Sequence, residues 1–203
     1  MRILTLSGSL RSDSLNSQLL RSAAPLLPPE ATLVRCDDVG ALPLFDQDIE
    51  VEPLPGAVQR FQHAIADADA VLIATPEYNG SLSGVLKNAL DWASRPGGDA
   101  VLAGVPVAVV GASPSRFGAA WAQADTRRIV DRIGGRVVPL ELPVAHADRA
   151  FDADGNLRDD ELRSRYAGLL AALHGLAAGA NDLDVLAERE DAVAVAVAPS
   201  KAA

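Results

Sequence analysis

The sequence contains few of the residues that form disulfide frameworks and zinc centres. Its 203 residues include one cysteine, Cys36, and three histidines. A single cysteine excludes an internal disulfide and a cysteine-rich zinc site, and it is typical of a reducing compartment. We therefore expect a cytoplasmic location. Cys36 has no C-x-x-C partner, so we expect it to be a small buried residue at the end of a strand.

Positive charge and long apolar runs are also scarce. Lys and Arg total 18 against 27 Asp and Glu, which gives a formal net charge of -9. Nucleic acids and anionic membranes are bound by clustered Lys and Arg, so neither is an expected partner. No apolar run is long enough to span a membrane, and the N-terminal run is too short for a signal peptide. An anionic ligand would have to be bound by the local geometry of the chain.

Short apolar runs alternate with segments whose apolar residues recur at helical spacing. The runs predict strands over residues 2–7, 31–36, 70–76, 105–113 and 136–142. Strands that are apolar on both faces, each followed by a helix, indicate an α/β fold with a parallel sheet covered on both sides. A proline interrupts the last run at position 139, which favours a peripheral strand there.

Residues 1–179 are expected to form a single domain, and residues 180–203 a flexible C-terminal tail. Residues 37–57, which are rich in proline and acidic residues, are expected to cross the sheet as an ordered excursion. Three apolar side chains of this excursion are expected to pack inward: Leu42, Leu44 and Phe45. The stretch "DADGN" (152–156) lacks the ligand spacing and closing Glu of an EF-hand, so we expect a surface turn.

Three loops rich in small and polar residues follow three of the predicted strands. "SGSLRSDSLNS" follows the first strand, "TPEYNGSLSG" the third and "GASPSRFGAAW" the fourth. The carboxyl ends of parallel strands lie at the same edge of a sheet, where ligands bind near the topological switch point. The sequence therefore predicts one site formed by these three loops.

The first loop has neither the dinucleotide pattern G-x-G-x-x-G nor the P-loop pattern. It does lead from a strand into a helix N-terminus, where free backbone N–H groups favour an anion. Ser9, Ser14 and Asn16 add neutral donors, and Arg11 adds a cation, which suits a phosphate monoester. The alternative is that residues 12–14 only cap the helix that begins near Leu15.

The second loop places Pro-Glu-Tyr-Asn-Gly at a strand end, before a helix that Ser81 or Ser83 would cap. The backbone around Glu77 to Asn79 can offer N–H and C=O groups to a planar heterocycle, and Tyr78 an aromatic edge. The alternative is an exposed tyrosine beside a solvated acid.

The motifs "GSLRSDSLN" and "PEYNGSLSGVLKNALDW" together resemble the NADPH-dependent FMN reductase family, flavodoxin-like enzymes that include chromate, quinone and azo-dye reductases. The resemblance implies a doubly wound, five-stranded parallel sheet in the order 2-1-3-4-5. It also implies bound FMN, NADPH or NADH as co-substrate, and ping-pong hydride transfer to a small-molecule acceptor such as free flavin, a quinone, an azo dye or a metal oxyanion. A homodimer or homotetramer is expected, with the helix over residues 83–94 at the subunit contact.

The family resemblance also assigns residues to the cofactor. It implies that the FMN phosphate is bound by Ser9, Arg11, Ser14 and Asn16. It implies that the isoalloxazine is lined by Pro76, Glu77, Tyr78, Asn79 and Gly80. The pyrimidine side is then approached by Gly111, Ala112 and Ser113. We expect backbone donors of this last group to stabilise negative charge on the reduced ring, and we expect no catalytic side chain and no metal.

One position departs from the family pattern. Many relatives have a proline where this chain has Ser83, and we expect the serine to loosen the second loop without removing a ligand contact. Two other functions stay open at this point: an FMN electron carrier that reacts with protein partners, and a protein that binds a different phosphorylated ligand in the same cleft.

Overall fold

The computed structural model describes residues 1–180. Nearly all of the predicted C-terminal tail, residues 181–203, lies outside the described residues. None of the helices in the described part of the chain is both long and apolar enough to cross a membrane.

The sheet has the predicted order, β2-β1-β3-β4-β5, and all of these strands are parallel. The strands are β1 (Arg2–Ser7), β2 (Thr32–Arg35), β3 (Ala70–Thr75), β4 (Pro106–Ala112), β5 (Arg136–Val137) and β6 (Pro143–Val144). Every residue of β3 and β4 is buried, as their continuous apolar runs predict. The order reverses between β1 and β3, which is the switch point where ligands bind.

The last predicted strand, over residues 136–142, is much shorter in the structure. β5 pairs with the start of β4 for two residues, and the chain then leaves the sheet. Pro139 has no N–H to donate to the ladder, which explains why the strand does not continue through it. The chain returns as β6, which pairs with the end of β4 and makes a sixth, unpredicted strand.

Helices cover both faces of the sheet, which confirms the predicted layers. They are α1 (Leu15–Arg21), α2 (Gly56–Ala66), α3 (Gly84–Ala93), α4 (Ala120–Ile133) and α5 (Asp160–Ala177). Side chains alternate along β1, so Ile3 packs with α1 and α5, whereas Leu4 packs with α2 and α3. Tyr166 of α5 is fully buried and donates its hydroxyl to Leu19 O of α1 at 3.1 Å. Burial raises the pKa of Tyr166.

The excursion over residues 37–57 packs against α3, but not with all three predicted side chains. Leu42 is buried, and the ring of Phe45 lies nearly perpendicular to that of Trp92, with 5.0 Å between the centroids. Leu44, in contrast, is 82% exposed, so that prediction is wrong. The backbone explains the difference: Pro43 O accepts from the Asn88 amide and the Trp92 indole at 2.9 Å each, and Phe45 N–H donates to Asn88 Oδ1 at 2.7 Å. Because the backbone is hydrogen-bonded to α3 on both sides of position 44, the Leu44 side chain faces solvent.

Two smaller predictions have different outcomes. Cys36 is partly exposed instead of buried, although its surroundings remove enough water to raise the pKa of the thiol. Residues 152–156 form a turn in which Asp152 Oδ1 accepts from the N–H groups of Asp154 and Asn156, so the surface turn is confirmed. Within residues 1–180 no cluster of three or more His, Cys, Asp or Glu residues is arranged to hold a metal ion.

Candidate functional site

The loops that follow β1, β3 and β4 lie at the carboxyl edge of the sheet. We call them loop 1 (residues 8–14), loop 2 (residues 76–83) and loop 3 (residues 113–119). Loop 1 starts beside loop 2, since the Gly8 N–H donates to the carbonyl of Ala74 in β3 at 2.8 Å. A Cβ on Gly8 would lie 2.9 Å from Pro76 Cδ, so only glycine fits where the two loops touch.

Loop 1 combines a helix cap with a set of free donors. Ser14 is the N-cap of α1, is 3% exposed, and accepts from the Ser17 N–H at 3.1 Å. Ser14 therefore does cap α1. The backbone N–H groups from Leu10 to Asn16, however, have no acceptor among residues 1–180, and the exposed Arg11 side chain has no partner there. Loop 1 thus presents unpaired N–H groups and a guanidinium together.

Asn16 lies in α1, but its side chain is bonded to β4. Nδ2 donates to Ala112 O at 3.0 Å, and Oδ1 accepts from Ala112 N at 2.9 Å. Both residues are nearly inaccessible to solvent, with Asn16 4% and Ala112 3% exposed. The carboxamide therefore fixes the start of α1 to the end of β4, and its two polar atoms are already in use.

Loop 2 contains a tight hairpin turn at Asn79 and Gly80. Both residues have positive φ angles, +53° and +77°, which is the combination that type I′ turns need and that Asn-Gly adopts readily. Tyr78 and Ser81 exchange backbone hydrogen bonds across the turn at 3.0 and 3.2 Å. The turn holds Tyr78 with 53% of its surface exposed at the edge of the site.

Glu77 points its carboxylate at the N-terminus of α4. Oε2 accepts from the N–H groups of Trp121 and Ala122 at 3.0 and 3.1 Å. The residue at the N-cap position, Ala119, has no side-chain acceptor and has a φ of +62°, so Glu77 supplies the cap from another loop. Negative charge at this end of a helix is also favoured by the helix dipole.

Ser83 joins loop 2 to loop 1. Its hydroxyl donates to Gly8 O at 2.6 Å and accepts from the Leu86 N–H at 3.3 Å as the N-cap of α3. The side chain is 6% exposed. The expectation that serine loosens this loop is wrong, because a proline could make neither hydrogen bond.

Loop 3 and the end of β4 have no free backbone donors where we expected them. Gly111, Ala112 and Ser113 all donate their N–H groups within the protein, at 3.3, 2.9 and 3.1 Å. The acceptors, in the same order, are Leu142 O, Asn16 Oδ1 and Val144 O. The prediction that these N–H groups stabilise negative charge on a ligand is therefore wrong. They are used to attach β4 to α1, to β6 and to the segment before β6.

Sequence patterns also missed residues that shape loop 3. Gln123 is 1% exposed; its Nε2 donates to Gly118 O at 3.1 Å and its Oε1 accepts from Leu142 N at 3.2 Å. Phe117 and Trp121 are 41% and 50% exposed, with ring centroids 4.6 Å apart. The sequence did contain a signal for this pair: two aromatic residues four positions apart, at the end of loop 3 and the start of α4, in a chain with 4% aromatics. Exposed apolar patches of this kind often mark binding surfaces.

Comparisons with known proteins agree on one family. The model of the family described as NADPH-dependent FMN reductase matches residues 1–149. An NAD(P)H-dependent FMN reductase of Pseudomonas aeruginosa is 44% identical over 176 residues, which is 85% of this chain and 93% of the relative. A 2-hydroxy-1,4-benzoquinone reductase of a Burkholderia species is 41% identical over 166 residues, covering 80% and 88%. The solved flavoenzyme NAD(P)H:(acceptor) oxidoreductase of Paracoccus denitrificans superposes with a TM-score of 0.76 at 34% identity, covering 87% of this chain and 96% of the other.

Proposed function

This chain belongs to the NADPH-dependent FMN reductase family, and we infer that it is a flavoprotein oxidoreductase that passes electrons from NAD(P)H through bound FMN to a small-molecule acceptor. Relatives named as quinone reductases support a quinone as one such acceptor. Bound FMN would supply hydride acceptance from the nicotinamide, and the protein would supply binding and orientation.

The donors of loop 1 fit the phosphate of FMN, and this observation carries the proposal. The backbone N–H groups from Leu10 to Asn16, the exposed Arg11 side chain and the Ser9 hydroxyl all lack a hydrogen-bond partner in the described chain. A phosphate monoester accepts several hydrogen bonds and carries negative charge, so it matches such a set. We propose that Ser9, Arg11 and the backbone hold the phosphate, whereas Ser14 and Asn16 position that backbone.

Loop 2 and loop 3 fit the planar part of the cofactor. The Asn79–Gly80 turn and the exposed Tyr78 border the edge of β3, which is adjacent to the switch point. We propose that Pro76 and the backbone of loop 2 line the ring. The Glu77 carboxylate is bonded to α4, so we propose that Glu77 contributes its backbone and not its charge. Gly111, Ala112 and Ser113 are proposed to form the wall on the pyrimidine side without donating from their N–H groups.

We also propose that residues 1–179 act as one domain and that the chain assembles as a homodimer or homotetramer in the cytoplasm. The family resemblance supports the assembly, and a groove of about 540 Å³ between α3 and α4 offers a surface for it. Trp92 of α3 is fully buried in its own subunit, so it is not part of that surface. Sedimentation equilibrium of the purified protein tests the assembly, and a monomer at all concentrations would contradict it.

The experiment that tests the function is anaerobic mixing of the flavin-bound protein with NADPH. We expect the flavin absorbance to be lost and then restored when a quinone is added. Arg11→Ala should weaken FMN binding at least tenfold, the effect of losing a hydrogen bond to a charged group. Arg2→Ala, at the opposite end of β1, is the matched control. A protein that binds no FMN, or bound flavin that NADPH does not bleach, would contradict the proposal.

A further inference from the structure

Apart from the proposed flavin site, a recess lies on the side of loop 1 that faces away from β3. It has a volume of about 500 Å³ and lies over β1 and β2, between α1 and the turn at residues 37–40. The switch point is between β1 and β3, so this recess lies beside the proposed flavin site, on the β2 side of loop 1, and residues of loop 1 line both. Loop 1 forms a wall of the recess with Ser9, Arg11 and Ser12.

Three arginines lie at this recess in a chain with a net charge of -9: Arg11, Arg21 and Arg35. Arg21 is exposed at the last position of α1, and its side chain has no hydrogen-bond or ion-pair partner in the described chain. Arg35 is bonded to Asp37, which also lines the recess, so the carboxylate offsets its charge. Arg11 and Arg21, which have no partner in the described chain, therefore favour an anionic ligand at the recess.

The interior of the recess differs from its rim. Leu20, Leu33 and Val39 provide apolar surface. Hydroxyl groups add polar contacts, including Ser7 and Ser17, whose oxygens are 3.0 Å apart. An apolar interior with a few polar groups is typical of small-molecule sites, and the volume is within their usual range. A heterocycle attached to a phosphorylated sugar has both characteristics.

We propose that this recess binds the phosphorylated adenosine half of NADPH, with Arg21 contacting the 2′-phosphate. Arginine near the ribose is the usual means by which proteins accept that phosphate. The nicotinamide half must lie against the flavin at the switch point, so the dinucleotide crosses loop 1, the wall common to both sites. The proposal rests on the proposed function, and it implies that the enzyme prefers NADPH to NADH.

Calorimetric titration with 2′,5′-ADP tests the recess without turnover. Wild-type protein should bind 2′,5′-ADP at least tenfold more tightly than 5′-AMP. Arg21→Ala should weaken 2′,5′-ADP binding about tenfold, the effect of one charge-assisted hydrogen bond, and Arg21→Lys should restore part of it. The same substitution should raise the KM for NADPH by a similar factor and leave the KM for NADH within twofold, since NADH has no 2′-phosphate. Arg2→Ala should change none of these values.

Other results would overturn the proposal. The proposal is wrong if Arg21→Ala raises the KM for NADPH and NADH equally, or changes neither. It is also wrong if wild-type protein binds 2′,5′-ADP and 5′-AMP equally. A tenfold loss of FMN affinity in Arg21→Ala would assign the recess to the flavin phosphate instead. These results are distinct from failure of the proposed function, because a chain that binds no flavin can still be titrated with 2′,5′-ADP.

Discussion

Replacing Asn16 with alanine separates a structural role from a ligand contact. The substitution removes two hydrogen bonds, at 3.0 and 2.9 Å, and leaves the N–H and C=O of Ala112 without partners where the residue is 3% exposed. A neutral hydrogen bond contributes about 1 kcal/mol net, and a buried polar group without a partner costs about 1–3 kcal/mol. We therefore expect the free energy of unfolding of the flavin-free protein to fall by about 2–4 kcal/mol.

Urea unfolding of flavin-free protein, followed by far-UV circular dichroism, measures this loss. Gln18→Ala is the matched control, because Gln18 is a carboxamide on the same helix with no side-chain hydrogen bond in the described chain, and it should cost less than about 0.5 kcal/mol. The reasoning is refuted if Asn16→Ala leaves the flavin-free stability unchanged while FMN affinity falls tenfold or more. That result would make Asn16 a direct phosphate ligand.

Glu77→Ala should lower the free energy of unfolding by about 1–2 kcal/mol, since two N–H groups of α4 lose their acceptor. Thermal unfolding of both variants measures this loss, and Glu77→Gln should be destabilised less than Glu77→Ala. The reverse order would contradict the capping role. Ser83→Ala should cost about 1–2 kcal/mol for its two hydrogen bonds; a urea midpoint equal to that of wild type would show that neither matters. The pKa of Tyr166 is raised by burial, so the folded state favours the neutral phenol. The contribution of this residue to the free energy of unfolding is therefore complete below about pH 10 and is lost as the pH rises further. The free energy of unfolding of Tyr166→Phe should therefore fall less steeply above that pH than that of wild type. If the two proteins lose stability in parallel, Tyr166 is not the source of the pH dependence.

The central strands and the meeting of the three loops at one edge of the sheet could be predicted because the evidence for them is local. Continuous apolar runs bounded by glycine and proline fix β3 and β4, and parallel strands necessarily bring their following loops to one edge. The cap at Ser14 and the turn at Asn79 are also local, since each depends on residues fewer than five positions apart.

The partners of the polar side chains could not be predicted because they lie far away in the sequence. Asn16 is 96 residues from Ala112, and Glu77 is 44 residues from Trp121. A motif records that an amide or a carboxylate is present but not whether it faces a ligand or another loop. The same limit explains Leu44, whose exposure is decided by hydrogen bonds of its neighbours to α3 and not by its own hydrophobicity.

The pairwise attachment of the three loops has a consequence for protein engineering. The start of α1, directly after loop 1, is bonded to β4 through Asn16; loop 1 is bonded to loop 2 through Ser83, and loop 2 to α4 through Glu77. A loop transplanted alone from a relative would therefore lose hydrogen bonds to its neighbours. A loop 2 with proline at position 83, for example, could not donate to Gly8 O of loop 1. Chimeras that exchange loops 1 and 2 as a unit should therefore fold more stably than chimeras that exchange either alone.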